Sequence, residues 1–457
     1  MGNYQGYQKY KDSGVEWLGE IPEHWEVIRI KFSTYVKGRV GWHGLNSKEF
    51  LYEGDFYLVT GTDFKNRTVN WESCYRITEE RYEEDPYIHL QEKDILITKD
   101  GTIGKVVQVK NIPYKASVNS GVFVTRPLKN KHYKDDYMFY VLASNIFHEF
   151  INLQKSGTTI SHLYQNVFEN FQYPFPPLDE QEKIAQFLDY KTKQIDELIK
   201  KKETLIEKLD EKRTSLISHA VTKGLDSSVP MKDSGIEWLG NIPEHWKSIR
   251  IKFIGDIKYG LGEPPEQLDD GLPIIRATDI YRGIIDGSKV QRVNPDKVPW
   301  SRNPELKVGD ILVVRSGAYT GDSAIVPDEW AGAIAGYDMV LTPTKAYSKY
   351  IALNLLSKHI LEGQIYLAKS RAAQPHLNAE ELGNTIICLP PIKEQKLISQ
   401  YLDQKTTQID QQKAKIKEAI ELLKEYRTSL ITNAVTGKID VSQIAIPSPQ
   451  KPQPQKG

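Results

Sequence analysis

The chain contains the same Trp-rich segment twice. KDSGVEWLGEIPEHWEVIRIKF at 11–32 returns as KDSGIEWLGNIPEHWKSIRIKF at 232–253, with 18 of 22 positions identical. Downstream, PPLDEQEKIAQFLDYKTKQID at 176–196 is matched by PPIKEQKLISQYLDQKTTQID at 390–410. A repeat of this length duplicates a whole domain framework and not one small repeat unit. Between the matched segments the copies differ, so we predict two related frames around diverged interiors.

Each Pro-Pro pair is followed by a long stretch in which apolar residues recur at alternating steps of three and four. Such heptads predict a coiled coil. Asp179 and Glu182 suit a helix N-cap and its reciprocal partner. The first helix leaves the first domain and enters the second, and the other starts from the second, so we expect an antiparallel pair about 50 Å long. The predicted interface is Ile184, Leu188, Ile195, Leu198, Leu205 and Leu209 against Ile398, Leu402, Ile409, Ile416 and Leu423.

The diverged interiors have the pattern of mixed β-structure with helices. KDILITKDGTIGKVVQV at 93–109 and GDILVVRSGAYTGDSAIV at 309–326 each predict a strand, a glycine turn and a strand. Helices are predicted at 135–154 and 347–367. The fold class is therefore α+β, with two globular mixed α/β domains separated by two long antiparallel coiled-coil helices in an internal pseudo-two-fold repeat. The predicted boundaries are a first domain at 1–177, a helix at 178–222, a second domain at 223–391, a helix at 392–440 and a disordered tail at 441–457.

Composition narrows the class of protein. There are 60 basic and 60 acidic side chains, so no basic excess points to nucleic acid, although lysine and arginine can still concentrate on one face. Cys74 and Cys388 offer no disulfide framework. No signal peptide and no membrane span is recognisable. We expect a cytoplasmic protein.

Motifs for catalysis are sparse. The sequence has no phosphate-binding loop, no His-Glu-x-x-His and no Asn/Asp-Pro-Pro-Tyr/Phe methyltransferase loop. Asp296, Glu305 and Lys307 resemble the carboxylate and lysine set of metal-dependent nucleases, which leaves a stand-alone nuclease open. The first copy has His89 and Gln91 where the second has Glu305 and Lys307, which argues against that role. A structural coiled-coil adaptor without DNA affinity is a further alternative.

Polar, glycine-containing loops recur in both copies. LVTGTDFKNRTVN at 58–70 matches IIRATDIYRGIID at 274–286, KDGTIG matches RSGAYTG, and SGTTISHL at 156–163 matches SRAAQPHL at 370–377. Loops of this composition also make ordinary turns. They can equally supply the side chains that contact phosphates and base edges.

The paired Glu-Trp-Leu-Gly and Ile-Pro-Glu-His-Trp segments, the Pro-Pro-x-x-Glu-Gln helix starts and the duplicated coiled coil resemble the specificity subunit of type I restriction-modification systems. The resemblance covers almost the whole chain. It implies a non-catalytic DNA-binding subunit whose two recognition domains each read one half of a bipartite, asymmetric site in double-stranded DNA, with the coiled coil setting the spacer. It also implies two methyltransferase subunits that use S-adenosylmethionine and two translocase-nuclease subunits that use ATP and Mg²⁺. No cofactor is expected in this chain itself.

The recurring loops then supply the candidate DNA contacts. In the first domain these are Lys65, Asn66, Arg67, Lys99 and Thr102, and in the second they are Tyr281, Arg282, Arg315, Ser316 and Tyr319. We expect the two sets to read different half-sites, because they differ.

Overall fold

Two units make up the chain in a computed structural model, which describes residues 4–39, 44–128, 133–155, 162–366 and 376–446. Unit 1 comprises Met1–Lys201 and Glu418–Gly457, and unit 2 comprises Lys202–Lys417. Each unit therefore combines one diverged interior with the beginning of one long helix and the end of the other.

Unit 1 has a six-stranded sheet in the order β4-β12-β9-β10-β7-β6 and a three-stranded sheet in the order β11-β5-β8, with the short pairs β1-β2 and β13-β3 beside them. The long helix α5 begins here and ends in unit 2. The strands are β1 Tyr10–Asp12, β2 Glu20–Pro22, β3 Glu26–Arg29, β4 Thr34–Gly38, β5 Phe56–Val59, β6 Phe64–Lys65, β7 Thr68–Val69, β8 Tyr75–Ile77, β9 Ile95–Thr98, β10 Val106–Gln108, β11 Ala116–Val118, β12 Val122–Pro127 and β13 Gln172–Phe175; the helices are α1 Glu79–Glu83, α2 Asp135–Leu142, α3 Asn145–Lys155, α4 Gln165–Phe168 and α5 Leu178–Lys223.

Unit 2 has a four-stranded sheet in the order β17-β25-β22-β23 and a three-stranded sheet in the order β21-β18-β24, with the pairs β14-β15, β16-β26 and β19-β20. A π-helical turn at Leu361–Ile365 follows α7, and the long helix α9 returns to unit 1. The strands are β14 Met231–Asp233, β15 Asn241–Pro243, β16 Lys247–Arg250, β17 Gly255–Tyr259, β18 Gln267–Ile275, β19 Ile280–Tyr281, β20 Ile284–Ile285, β21 Gln291–Val293, β22 Ile311–Val313, β23 Ser323–Ile325, β24 Ile334–Ala335, β25 Met339–Pro343 and β26 Ile386–Leu389; the helices are α6 Ser348–Leu355, α7 Lys358–Ile360, α8 Ala379–Asn384 and α9 Ile392–Val435.

The predicted secondary structure is confirmed in both interiors. β9 and β10 pair antiparallel around one glycine turn, as do β22 and β23 around the other. The helix predicted at 135–154 is α2 and α3, interrupted at residues 143–144. The helix predicted at 347–367 is α6, α7 and the π-helical turn.

The matched Trp-rich and Pro-Pro segments contact each other in the same way in both units. In unit 1 the Trp25 indole N–H donates to Glu180 at 2.9 Å, and His24 Nε2 lies 2.7 Å from the same carboxylate. In unit 2 Trp246 and His245 bond to Glu394 at 3.1 and 2.8 Å. Both tryptophans are fully buried. The two duplicated motifs therefore hold each other, and the buried tryptophan fixes the start of a long helix.

The glutamine that follows each glutamate ties the helix start to the interior. The Gln181 amide donates to the Pro176 carbonyl at 2.8 Å and accepts from the Lys134 backbone N–H at 2.8 Å. Gln395 makes the equivalent bonds to the Pro390 carbonyl and from the Tyr347 N–H, both at 2.8 Å. Asp179 is not the N-cap that was predicted, because α5 already begins at Leu178 and places Asp179 within its first turn.

The long helices pair antiparallel within each unit. In unit 2 Asp210 contacts Lys413, and three residues later Arg213 contacts Asp410 at 3.8 Å, three residues earlier in α9. In unit 1 Asp196 pairs with Arg427 at 3.0 Å. Opposite directions of advance along the two helices are the signature of an antiparallel pair.

Part of the predicted coiled-coil interface is wrong. Ile184, Leu188, Ile195 and Leu209 are buried, as are Ile398, Leu402 and Ile409, whereas Ile416 and Leu423 are partly buried. Leu198 and Leu205 are 44% and 47% exposed, and the neighbouring Ile199 and Ile206 are less exposed. Adjacent apolar residues satisfy two phases of the heptad equally well, so the pattern alone could not choose between them.

The predicted tail at 441–457 also differs where it is described. Val441 is buried, and Ile444 and Ile446 pack against the core of unit 1. The Asp440 N–H donates to the Gln5 carbonyl at 2.8 Å. Residues 441–446 therefore belong to the folded unit, because their apolar side chains find a surface there, and the rest of the predicted tail lies outside the described residues.

Candidate nucleic-acid interface

Two tight hairpins carry several of the candidate DNA contacts. In unit 1 the turn between β6 and β7 places Asn66 and Arg67 at φ of 49° and 70°. In unit 2 the turn between β19 and β20 places Arg282 and Gly283 at 43° and 95°. Two consecutive positive φ values are those of a type I′ turn, which suits the twist of a two-residue hairpin. Both candidate loops are therefore tight two-residue turns that join paired strands.

Arg67, predicted as a base contact, also makes contacts within unit 1 that the sequence did not indicate. Its guanidinium donates to Thr192 Oγ1 at 2.9 Å and to Asp189 at 3.2 Å, both on α5, and it also donates to the Tyr140 hydroxyl on α2. The guanidinium also stacks over the Tyr140 ring. Through Thr192 and Asp189, Arg67 fastens the hairpin to α5, and these contacts offset the strain of a left-handed arginine.

The remaining hairpin candidates are exposed. Lys65 and Asn66 lie at the exposed tip of the unit 1 hairpin, and Tyr281 occupies the corresponding exposed place in unit 2. Arg282 is 53% exposed on its side chain, with one guanidinium nitrogen 3.8 Å from Asp210 on α5. At that distance and exposure the ion pair is weak, so the Arg282 side chain stays available.

The glycine turns between the paired central strands place a cation at the same point in both units. The Lys99 carbonyl accepts from the Leu163 N–H at 2.8 Å, and the Arg315 carbonyl accepts from the Leu377 N–H at 2.7 Å. Gly101 and Gly317 follow at φ of 65° and 85°, where a glycine relieves the backbone. Lys99 and Arg315 are therefore structurally equivalent although their chemistry differs.

Arg315 is held between two tyrosine rings. Its guanidinium carbon lies 4.1 Å from the centre of the Tyr337 ring and 4.7 Å from that of Tyr259. Both tyrosines are exposed, while Arg315 is partly buried. Stacking fixes the plane of the guanidinium and leaves its edge to bond in a fixed direction, which is the geometry required for bidentate contact with a base or phosphate.

Lys99 has a different environment. Its ammonium lies 5.0 Å from the centre of the Phe123 ring. Burial lowers the pKa of Lys99, and the neighbouring Asp100 opposes that change. Asp100 itself contacts His162. A lysine supplies a point charge where arginine supplies a planar fork, so the two units offer different chemistry at one position.

The structure brings several candidates of unit 1 together. Lys65, Asn66, Arg67 and Thr102 line one open cleft of about 350 Å³, with Lys105 and His148 at its wall. In unit 2, Ser316 and the exposed Tyr319 lie on the Gly317 turn beside Arg315. Four of the five candidates of unit 1 thus share one polar cleft, whereas those of unit 2 lie on two separate turns. Of the third recurring loop pair, residues 156–161 and 370–375 lie outside the described residues.

The nuclease alternative finds no support in the structure. Asp296 lies in a short 3₁₀ turn, while Glu305 forms an isolated bridge with Ile334 and Lys307 bonds through its backbone to Asp310. Among the described residues no three histidine, cysteine or acidic side chains come together as a metal site. None of the described helices has the length and apolar character of a membrane span.

A family model and curated relatives both match this chain over most of its length. The family described as type I restriction modification DNA specificity domain matches residues 22–208 and 243–422. The type I restriction enzyme MjaVIII specificity subunit of Methanocaldococcus jannaschii is 27% identical over 459 residues, which cover 96% of this chain and 98% of the relative. The EcoKI specificity subunit of Escherichia coli strain K12 is 20% identical over 437 residues, covering 92% and 90%.

A solved structure shares the fold. A chain from a study described as "Structural basis underlying complex assembly and conformational transition of the type I R-M system" superposes with a TM-score of 0.67 at 17% identity. The superposition covers 92% of this chain and 99% of that chain. The predicted fold class is thereby confirmed.

Proposed function

Because the chain belongs to the family of type I restriction-modification DNA specificity subunits, we propose that each of its units reads one half of a bipartite, asymmetric site in double-stranded DNA. The long helices α5 and α9, each of which passes from one unit to the other, set the unspecified spacer between the halves. The chain performs no catalysis in this scheme and selects the sequence on which its partners act.

One observation carries the proposal. Lys99 and Arg315 occupy equivalent positions beside equivalent glycine turns, each against aromatic rings, within units whose frames match and whose interiors differ. A stacked arginine presents a planar fork in a fixed direction to guanine N7 and O6, whereas a lysine presents a point charge without a fixed plane. Equivalent places with different chemistry are what two readers of different half-sites require.

The partners follow from the same proposal. We assign N6-adenine methylation to two methyltransferase subunits that hold S-adenosylmethionine, and cleavage to two translocase-nuclease subunits that use ATP and Mg²⁺. Contact with phosphates predicts that DNA binding by the assembled complex weakens steeply as salt concentration rises. A coiled-coil adaptor without DNA affinity would show no such dependence.

The test is to co-express this chain with a methyltransferase subunit of its own system and to map N6-methyladenine across the host genome. We expect one gapped, non-palindromic motif methylated on both strands. Arg315→Ala should relax one half of the motif or lower its methylation, since a bidentate base contact contributes about 1–3 kcal/mol of discrimination. Arg302→Ala, which removes another exposed arginine of unit 2, is the control. Absence of new methylation with the methyltransferase bound would refute DNA recognition by these units.

The helices can be tested separately. Four residues inserted after Lys201 in α5, with four more before Glu418 in α9, lengthen both helices by about 6 Å. That length is close to two base pairs, so we expect a longer spacer between unchanged half-sites. The control is a four-residue insertion within 226–228, between α5 and β14. Altered half-sites with an unchanged spacer would contradict the assignment.

A further inference from the structure

A cavity of about 510 Å³ opens in unit 2 where the end of α5, the Trp-rich segment and α7 meet. Its walls include Trp238, His359 and Gly363, with Lys223 and Glu362 at the side. Trp238 is 42% exposed. Neither the candidate DNA contacts nor the long-helix pairing uses this cavity.

Unit 1 provides a reference for the same place. The backbone N–H of Asn145, which begins α3, donates to Thr432 Oγ1 of α9 at 3.0 Å. The backbone N–H of Lys358, which begins α7, donates to Ser218 Oγ of α5 at 2.8 Å. These bonds fix the alignment of the two helix starts. Counting from them, Ile146 corresponds to His359, and Phe150 corresponds to Gly363.

In unit 1 the corresponding space is filled from within the chain. The Phe150 ring meets the Trp17 ring edge-on, with centroids 5.0 Å apart, and Ile146 is buried in the same core. The Trp17 indole donates to the Gln172 carbonyl at 3.0 Å. In unit 2 the strand residue that matches Gln172 is Ile386, and its carbonyl accepts a hydrogen bond from the Gln364 amide at 2.9 Å. Unit 1 therefore shows that a phenyl ring fits beside the tryptophan of this frame.

Gly363 leaves the room that Phe150 occupies in unit 1. A Cβ atom added to Gly363 would meet Trp238 Cε3 at 3.9 Å, which is ordinary van der Waals contact. The glycine also sits in the π-helical turn Leu361–Ile365, and such turns are frequent at functional sites. The cavity therefore leaves space for one aromatic ring beside Trp238.

His359 adds a polar requirement to that position. Its ring lies nearly parallel to that of Trp238, at 18° with centroids 6.0 Å apart. Both imidazole nitrogens are buried, and within the described part of the chain neither has a hydrogen-bond partner. Burial, together with the nearby positive charge of Lys223, lowers the pKa of His359 to about 4. A neutral imidazole offers one donor and one acceptor, and leaving both unused costs free energy that a polar ligand would recover.

We propose that this cavity binds a single aromatic ring with a hydrogen-bonding substituent, a phenol in size and polarity. The ring packs beside Trp238 in the place that Phe150 takes in unit 1, and a change of the His359 side-chain rotamer lets one imidazole nitrogen reach its polar group. The ring can come from a free small molecule or from a tyrosine side chain of a partner protein. This inference is independent of DNA recognition.

The experiment titrates p-cresol, toluene and N-acetyltyrosinamide into the full chain and follows binding by ligand-observed nuclear magnetic resonance. We expect p-cresol to bind more tightly than toluene. Gly363→Phe, which restores the residue of unit 1, should weaken p-cresol binding at least tenfold. Gly363→Ala introduces a side chain but leaves room for the ring, so it is the control and should retain binding.

His359→Ile tests the polar contact without filling the cavity, and it should remove the preference for p-cresol over toluene. Binding of N-acetyltyrosinamide would identify a side chain as the source of the ring, and binding of p-cresol alone would identify a small molecule. No binding of p-cresol, or binding that Gly363→Phe leaves unchanged in a folded variant, would overturn the inference.

Discussion

Replacing Glu180 by alanine should destabilise unit 1 more than the matched change of Glu394 destabilises unit 2. Glu180 accepts from the Trp25 indole and the Tyr7 hydroxyl, both at 2.9 Å, and contacts His24 at 2.7 Å. Glu394 has the tryptophan and histidine contacts. The two units thus provide one experiment performed twice, with and without the tyrosine.

The magnitude follows from burial. Trp25 is completely buried, and a buried N–H without an acceptor costs about 1–3 kcal/mol. The partly buried Tyr7 hydroxyl loses a bond to a carboxylate, about 1 kcal/mol more. The histidine is half exposed, so its contact adds at most about 1 kcal/mol. We expect Glu180→Ala to cost about 2–5 kcal/mol and Glu394→Ala about 1–4 kcal/mol, so that the difference is the Tyr7 bond.

The assay must resolve the two units, because a chain of this size need not unfold in one step. Hydrogen exchange followed by mass spectrometry reports local opening free energies. Peptides covering 20–32 should lose protection in Glu180→Ala, and those covering 241–253 should lose it in Glu394→Ala. The matched control carries Tyr7→Phe, which removes the hydroxyl bond to Glu180. In that background the costs of Glu180→Ala and Glu394→Ala should differ less. Unchanged protection at 20–32, or a larger effect from Glu394→Ala, would refute this account.

Other variants test the corrected assignments. Arg67→Ala should lower the stability of unit 1 by about 1–2 kcal/mol through lost contacts to α5 and should leave the methylated sequence unchanged. Thermal melting and methylation mapping check this, and a changed half-site would identify Arg67 as a base contact. Ile199→Ala should cost about 1–2 kcal/mol by hydrogen exchange in unit 1, whereas Leu198→Ala should cost under about 0.5 kcal/mol; equal costs would contradict the revised heptad phase. His359 binds fewer protons folded than unfolded between its folded pKa of about 4 and its usual value near 6.5. The stability that the neutral His359 contributes to unit 2 is therefore fully present above about pH 6.5 and is lost on acidification towards pH 4, by about 2 kcal/mol at pH 5. His359→Ile should abolish this pH dependence when hydrogen exchange in unit 2 is compared at pH 7 and pH 5. An unchanged pH dependence would show that another group titrates.

The framework of each unit was predictable because the segments that form it occur twice in the sequence. A Trp-rich segment and a helix start that recur together imply a contact between them, and Trp25 and Trp246 are indeed buried against the helix starts. The long helices were predictable from periodicity, which depends only on the spacing of apolar residues. Sequence reasoning missed Glu180 and Glu394 as the acceptors. The recurrence of Glu-Gln after both Pro-Pro pairs was the signal that could have identified them.

Two features were not predictable: which apolar positions of the long helices face the partner helix, and which groups the Arg67 side chain contacts. Leu198 and Ile199 are both apolar, and the geometry of the partner helix decides which one faces it. Arg67 belongs to a polar loop by composition, yet α5 runs beside its hairpin and supplies Asp189 and Thr192. Both features depend on contacts between segments distant in sequence, which local patterns do not record.

Duplication also conceals the positions where the units differ in chemistry. Ile146 and His359 occupy equivalent places in matching frames, but Ile146 completes a core, whereas the His359 nitrogens have no hydrogen-bond partner among the residues that the structure describes. Lys99 and Arg315 differ in the same way at the glycine turns. In each pair the frame fixes where the side chain lies, while that residue and its neighbours differ in chemistry. A duplicated frame can therefore acquire two different sites without altering the contacts that hold it together.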